Sequence, residues 1–400
     1  MTEPRRLLVL NQFAAAIGDP GGTRHRELAA LLSGWDAIVV TGNRALMSRE
    51  RRVTDDPHLR SVWVTAYEGN GPRRILNWAS YAVTAFVAGL RMPRPDLIYG
   101  STPHLLTPLV GWMLARIRGV PFVMEVRDLW PDVLLDMGQL TDRSVLYRAL
   151  RVLEQFLYRH ADAIVVLADG SRAHLVDERV PAEKIHVAPN GSDVDFFAAP
   201  DTRQNLRARY GFNGTVAVYA GAHGPANGLD LLLDAAREVR GELPELEVVL
   251  VGDGVEKPSL VERVRRDRLT NVRFLDPIPK TEMPALLGAA DIGVHVLADV
   301  PLFRYGVSPN KLFDYMAAGL PVLTNTPGEV AGIVDEAGAG IAVQPNGLAD
   351  GLRAIARANS DQHGLWGEAG RTYLREHRSR EALAGRLERI LDDVVDRSAR

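Results

Sequence analysis

The 400-residue chain has no cysteine, which excludes disulfides, thiol nucleophiles and cysteine-ligated metal sites. Lysine is nearly as scarce: among 47 lysines and arginines only Lys184, Lys257, Lys280 and Lys311 are lysines. That bias suggests a GC-rich genome and draws attention to the four ammonium groups. No excess of positive charge exists, since the net charge is −3, and no basic run is interleaved with aromatics. A nucleic-acid partner is therefore not expected. Met1 to Arg6 leads straight into an apolar strand without a signal-type core, so a cytoplasmic location is expected. Internal repeats and low-complexity tracts are absent too.

What is present is a globular composition, 46% hydrophobic and 24% charged, on a chain too long for one ordinary core. Short apolar runs alternate with helical patterns, as in a parallel sheet covered on both faces. Strands are expected at 7–10, 37–41, 61–66, 97–100, 122–126, 163–167 and 185–188, then at 216–220, 246–251, 271–274, 291–297, 322–323 and 340–343. The fold class is α/β, with two doubly wound parallel-sheet domains. The first is assigned to 1–198 and the connection, rich in polar residues after Pro200, to 199–213. The second is assigned to 214–375, and a last helix in 376–400 is expected to pack back on the first domain.

One helical pattern stands out. Residues 75–90, from Ile75 to Leu90, carry no formal charge, include Trp78, Tyr81 and Phe86, and are flanked by Arg73, Arg74 and Arg91. The segment is short for a bilayer span. It fits a sheet-covering helix, and its basic flanks also fit a peripheral membrane contact, which would set the protein at the inner face of the cell membrane.

Chemistry-bearing residues fall at the ends of expected strands. After the first strand, Asp19-Pro20-Gly21-Gly22-Thr23 leads into a helix, without the G-x-G-x-x-G spacing of dinucleotide dehydrogenases. After 122–126 comes Arg127-Asp128-Leu129-Trp130-Pro131-Asp132, a charged and aromatic turn. The pair Asp193 and Asp195 has no evident third ligand, so no metal site is assigned. In the second half, Gly221-Ala222-His223-Gly224 opens a glycine loop, and Gly252-Asp253-Gly254 precedes Lys257 at a helix start. A turn at Pro277 and Ile278 follows.

The densest stretch runs from Tyr305 to Asn325. Ser308 reads as a helix N-cap with Pro309 at the first helical position, and Gly319 and Pro321 close the helix. Leu312, Phe313 and Met316 share one side, while Asn310, Lys311 and Asp314 share the other. Amides at the helix start with Lys311 beside them suit phosphate oxygens, and Asp314 one turn later suits a ribose diol. A solvated charge pair on an amphipathic helix would read the same way.

In order, the Pro20–Gly22 loop, the 125–131 segment, Pro189-Asn190-Gly191, the Gly221–Gly228 loop, the 251–254 turn and the stretch from Ser308 to Val322 resemble family-4 glycosyltransferases of the GT-B type. The resemblance covers nearly the whole chain and is to the bacterial surface-polysaccharide branch that includes fucosamine-transferase-like proteins. It implies two domains facing across a cleft, a nucleotide sugar on the second, an acceptor on the first, and transfer with retention, without a cofactor or required metal. It implies donor contacts at Gly21, Gly22, Gly221, His223, Gly224, Gly252, Lys257, Pro277, Ile278, Ser308, Asn310, Lys311 and Asp314, with Asp128 and Arg127 as catalytic candidates. The branch favours a UDP-linked hexose or N-acetylamino sugar and a lipid-linked saccharide acceptor. A soluble natural-product acceptor, a catalytically silent nucleotide-sugar binder and a nucleotide-sugar epimerase stay open. Three departures are visible: where the wider family has two glutamates eight positions apart, this chain has Gly306 and Asp314; His223 and Asn227 stand where relatives carry an arginine and a lysine; and Arg127 stands where a histidine often precedes the first-domain aspartate.

Overall fold

The computed structural model describes residues 3–19, 22–44, 51, 54–67, 71–304 and 306–398. The chain divides into two units, one of Met1–Pro189 with Arg380–Arg400 and the other of Asn190–Ser379. Each is built on its own parallel sheet.

In the first unit the strands are β1 (Arg5–Leu10), β2 (Trp35–Gly42), β3 (Leu59–Val62), β4 (Leu97–Ser101), β5 (Phe122–Val126), β6 (Ala163–Val166) and β7 (Ile185–Val187). Their order is β3-β2-β1-β4-β5-β6-β7, every pairing parallel. Central strands buried on both faces read as continuous apolar runs rather than alternations, and β5 is buried at all five positions. Its one charged residue, Glu125, is the exception that needs a local explanation. One face is covered by helices Arg24–Leu31 and Arg380–Ser398, which pack Leu28, Leu383, Leu387 and Leu391 on Leu7, Val9 and Val39. Helices Pro72–Arg91, Leu106–Arg118 and Val145–His160 pack side by side in the remaining layer, with Trp112 of the second set edge-on to Phe156 of the third at 4.7 Å.

The second unit has β8 (Thr215–Ala220), β9 (Leu246–Val251), β10 (Val272–Leu275), β11 (Ile292–His295), β12 (Val322–Thr324) and β13 (Gly340–Ala342), in the order β10-β9-β8-β11-β12-β13. Alternate residues of β8 face two separate cores: Val216 and Val218 meet Phe313 and Met316, while Ala217 and Tyr219 meet Leu232 and Leu352. The expected connection over 199–213 is not a free linker. Thr202 Oγ1 accepts from Asn205 N, a helix runs over Arg203–Tyr210, and Leu206 is buried with Phe197 and Phe212 in the second core. A short helix with one buried apolar residue per two turns carries too little hydrophobic pattern to show in the sequence. The chain passes between the units earlier, at Pro189 and Asn190. No helix among the described residues is long and apolar enough to cross a membrane.

Candidate functional site

In an open parallel sheet the loops at the carboxyl ends of the strands part where the strand order reverses, and ligands bind in the gap. In the second unit that reversal lies between β8 and β11. The residues singled out from sequence gather around it. β8 ends at Ala220, Gly221 opens the loop, and Gly228, in the left-handed region at φ 58°, starts helix Leu229–Val239. Across the reversal, helix Asn310–Ala318 is pinned to β8 because Ala220 N donates to Tyr315 Oη at 2.8 Å.

Lys311 lies at the start of that helix with its ammonium turned to the loop. Nζ donates to Tyr219 Oη at 2.7 Å and to Asn227 Oδ1 at 3.0 Å, and stands 4.1 Å from the centre of the Tyr219 ring. All these partners are neutral; among the described residues no carboxylate pairs with it. Loss of hydration pulls its pKa down to about 7, even though part of the side chain still reaches water. Gly221 gives these groups room, since a Cβ would come within 3.2 Å of Lys311 Nζ and 3.3 Å of Tyr219 Oη and they would have to shift by a few tenths of an ångström. Asp314, one turn on, accepts from Ser192 Oγ at 2.7 Å.

Other expected residues sit differently. Ser308 does not cap the helix: Pro309 holds that position and no side chain caps it, because the Ser308 hydroxyl accepts from Asn190 N at 2.9 Å and its carbonyl from Asn190 Nδ2. Asn310 follows at the first turn, its Oδ1 buried without a hydrogen bond. His223 is folded inward, fully buried beside Tyr219 and Phe274, with neither ring nitrogen hydrogen-bonded. Burial, reinforced by Lys257, pulls its pKa down to about 4, so the ring is neutral at pH 7. Gly224 follows in extended backbone. Lys257 is already engaged: Nζ donates to Gly252 O at 2.9 Å, Leu275 O at 3.3 Å and Asp276 Oδ1 at 3.0 Å. It ties the loop after β9 to the loop after β10. Pro277 is exposed, and Ile278 is half-buried against the core.

In the first unit the reversal lies between β1 and β4. A buried polar network fills it. Asn11 Nδ2 donates to Ser101 Oγ at 3.0 Å, Ser101 Oγ donates to Glu125 Oε2 at 2.5 Å, and His25 Nε2 meets the same oxygen at 2.6 Å. Burial would push the Glu125 carboxyl up, but His25, Arg24 and Arg127 hold it well below the ordinary carboxylate range. Arg24, fully enclosed, donates to Ala188 O and Pro189 O at 2.8 Å each. Sequence gave no sign of this cluster beyond one acidic residue in an apolar strand. Next to it Arg127 N donates to Thr102 Oγ1 at 2.9 Å. Asp128 is solvent-exposed; protein around it draws its pKa up against the pull of Arg127, and its access to water limits that rise. Trp130 stands edge-on to Trp78 at 5.6 Å, and Trp78 stacks on His104 at 5.0 Å. Gly22 O accepts from Ala15 N at 3.0 Å, while Pro20, Gly21 and Tyr305 lie outside the described residues.

Two acidic groupings invite a metal reading. Asp193 Oδ1 accepts from Asp195 N at 2.8 Å and so closes a local turn. Asp132, His174 and Glu178 come close together, but Arg151 bridges Glu178 and, at 3.6 Å, Asp132. A guanidinium already stands among those carboxylates.

These two units match two successive family models, described as "Glycosyl transferase 4-like domain" over residues 22–191 and "Glycosyl transferases group 1" over residues 214–361. The chain belongs to the family-4 glycosyltransferases of GT-B architecture. It is 28% identical over 261 residues to a Pseudomonas aeruginosa glycosyltransferase named WbjE, and 26% identical over 256 residues to an Escherichia coli (strain K12) glycosyl transferase named for colanic acid biosynthesis, WcaI. Those matches span 64% and 62% of this chain and the same shares of the two relatives. A Streptomyces scabiei D-inositol 3-phosphate glycosyltransferase is 26% identical over 86% of this chain and 80% of its own length. Among solved structures, sucrose-phosphate synthase from Thermosynechococcus elongatus superposes with TM-score 0.77 at 19% identity, covering 98% of this chain and 99% of that one. Anabaena HepE in complex with UDP-glucose superposes with TM-score 0.72 at 18% identity, covering 97% and 100%. At those identities the structures speak to fold alone.

Proposed function

We propose that this protein is a retaining glycosyltransferase that moves a hexose or N-acetylamino sugar from a UDP-sugar to a hydroxyl of a saccharide acceptor. The observation that carries the reading is Lys311: an ammonium drawn out of water at the strand-order reversal of the second unit, held only by neutral groups, with a carboxylate one helical turn away. A diphosphate supplies the missing negative charge, and its ribose diol matches Asp314. The choice of UDP follows the surface-polysaccharide branch that the sequence resembles; Anabaena HepE, a neighbour in fold, is a complex with UDP-glucose.

In this reading the bond from the sugar's anomeric carbon to the diphosphate breaks while the acceptor oxygen bonds to that carbon and its hydroxyl proton passes to the departing diphosphate. Charge builds on the leaving phosphate, where Lys311 and the amides of Ala222 and Gly224 stabilise it, those of Gly221 and His223 being held by the Val251 and Asp253 carbonyls. Lys257, bound to one exposed carboxylate, can exchange Asp276 for phosphate. No metal is required, so turnover is expected to survive EDTA. Asp128 and Arg127 serve the acceptor hydroxyl in the first unit. The relative named for colanic acid biosynthesis favours a lipid-linked saccharide acceptor in surface-polysaccharide synthesis, with the protein working in the cytoplasm at the inner membrane face. A second reading, a soluble acceptor, is favoured by the relative named for D-inositol 3-phosphate.

The test is a thermal-shift panel of UDP, GDP, dTDP and ADP, followed by acceptor-dependent release of UDP from UDP-glucose and UDP-N-acetylglucosamine. Asp314→Ala should raise the donor KM about tenfold or more, whereas Asp128→Asn should lower kcat with donor binding kept. Conversion of the sugar nucleotide without an acceptor would identify an epimerase instead. Nucleotide binding without any turnover would identify a silent binder.

A further inference from the structure

Exposed apolar side chains are not spread evenly over this molecule. Of the fifteen large hydrophobic residues exposed among the described residues, ten lie on the three neighbouring helices Pro72–Arg91, Leu106–Arg118 and Val145–His160. They include Val83 at 64% exposure, Ile117 at 59% and Val152 at 68%, one on each helix. On the first helix Leu76, Val83, Val87 and Leu90 recur at helical spacing, so the outward stripe is apolar from end to end. A sheet-covering helix of a protein that meets only water normally turns charge outward there.

Charge on these helices is just as one-sided. Together they hold eight arginines and one acidic residue, Glu154, which is buried against Arg151: a balance of +7 in a chain whose net charge is −3. Arg73, Arg91, Arg116 and Arg148 are exposed, and no carboxylate pairs with them among the described residues.

We infer that this three-helix face docks on the surface of an anionic lipid bilayer. Apolar side chains ringed by unpaired arginines are what the boundary between headgroups and acyl chains accepts, the arginines meeting lipid phosphates. A second copy of the chain would set the exposed arginines Arg73, Arg91, Arg116 and Arg148 against their own like charges. A nucleic acid would match the arginines but leave Val83, Ile117 and Val152 without apolar contact. Since no described helix can cross a bilayer, the contact is peripheral. The docking does not depend on the glycosyltransferase reading; its use, bringing a lipid-linked acceptor toward Asp128, does. The same Pro72–Arg91 helix carries Trp78, which packs against Trp130 in the Asp128 turn.

The experiment is co-sedimentation of the full chain with phosphatidylcholine vesicles, with and without a phosphatidylglycerol fraction of about one third. Wild-type protein should sediment with the anionic vesicles only, and less at high salt. The double variant Val83→Glu, Ile117→Glu should partition about tenfold less or weaker still. Both positions are exposed, so its melting temperature and its UDP-induced thermal shift should match wild type. Equal partition of variant and wild type, or none of wild type on anionic vesicles, would overturn the proposal. So would a stable dimer in light scattering that the double variant abolishes, which would make the face a protein interface. Loss of UDP binding in wild type would instead count against the donor site and leave the docking result standing.

Discussion

Lys311 is an ammonium that the fold strips of water before it has an anion to hold. With a pKa near 7 it is about half charged at neutral pH, whereas in the unfolded chain it stays charged to about pH 10.4. Between those values the unfolded state binds more protons, so stability attributable to this group rises with pH and is lowest below about 7. Donor binding reverses the preference, because a diphosphate favours the charged form. UDP-glucose affinity should therefore be highest below pH 7 and fall up to about tenfold per pH unit above it. Calorimetry at pH 8 in buffers of different ionisation enthalpy should register uptake of close to one proton per UDP-glucose bound, and Lys311→Met should abolish the uptake. A flat pH profile with no proton uptake would remove Lys311 from the diphosphate site. The sequence marked this residue and Asp314 through their spacing on one helical face. It could not mark Tyr219, 92 residues away, nor show that Asn227, noted only as a departure in the glycine loop, holds the ammonium from 84 residues away, nor pair Glu125 with His25 across 100 residues. Such partners are chosen by strand order, which no local pattern reports.

Glycine loops are the elements that sequence reported best, because the backbone that leaves a strand end for a ligand crevice leaves little room for a side chain. Gly252 has φ 142°, and a Cβ there would fall 1.9 Å from Gly221 O. That contact joins the loops after β8 and β9, with Lys257 Nζ donating to the same Gly252 carbonyl. Gly252→Ala should thus cost about 2 kcal/mol or more in stability and weaken UDP binding together, measured by denaturant unfolding and by titration. Retained stability with full UDP affinity would mean the two loops can part at no cost. Apolar runs bounded by glycine likewise located the strands to within a few residues. Helix starts were harder. Ser308 and Pro309 have the right residue types for a cap, but the Ser308 hydroxyl is taken by the Asn190 backbone, a competing partner 118 residues away. Helix Arg203–Tyr210 was hidden for the opposite reason, having a good Thr202 cap and only one buried side chain.

At the scale of the molecule, two sheets with separate cores imply two units of separate stability, and the last helix belongs to the first of them. Helix Arg380–Ser398 buries Leu383, Leu387 and Leu391 on the first sheet, and Arg5 donates to Asp392 and Asp396 at 2.8 and 2.7 Å. Leu232 is equally buried, in the second unit. Truncating either leucine to alanine leaves a core cavity and costs about 2–5 kcal/mol. UDP, bound in the second unit, adds about 2.7 kcal/mol at a concentration one hundred times its Kd, and only to the unit that holds it. Scanning calorimetry of the full chain should then resolve two transitions, with UDP raising one of them. Leu232→Ala should lower the transition that UDP raises, and Leu391→Ala should lower the other and leave the UDP response unchanged. If Leu391→Ala lowered the UDP-responsive transition by as much as Leu232→Ala, the two cores would unfold as one cooperative body, and the assignment of the last helix to the first unit's stability alone would fall.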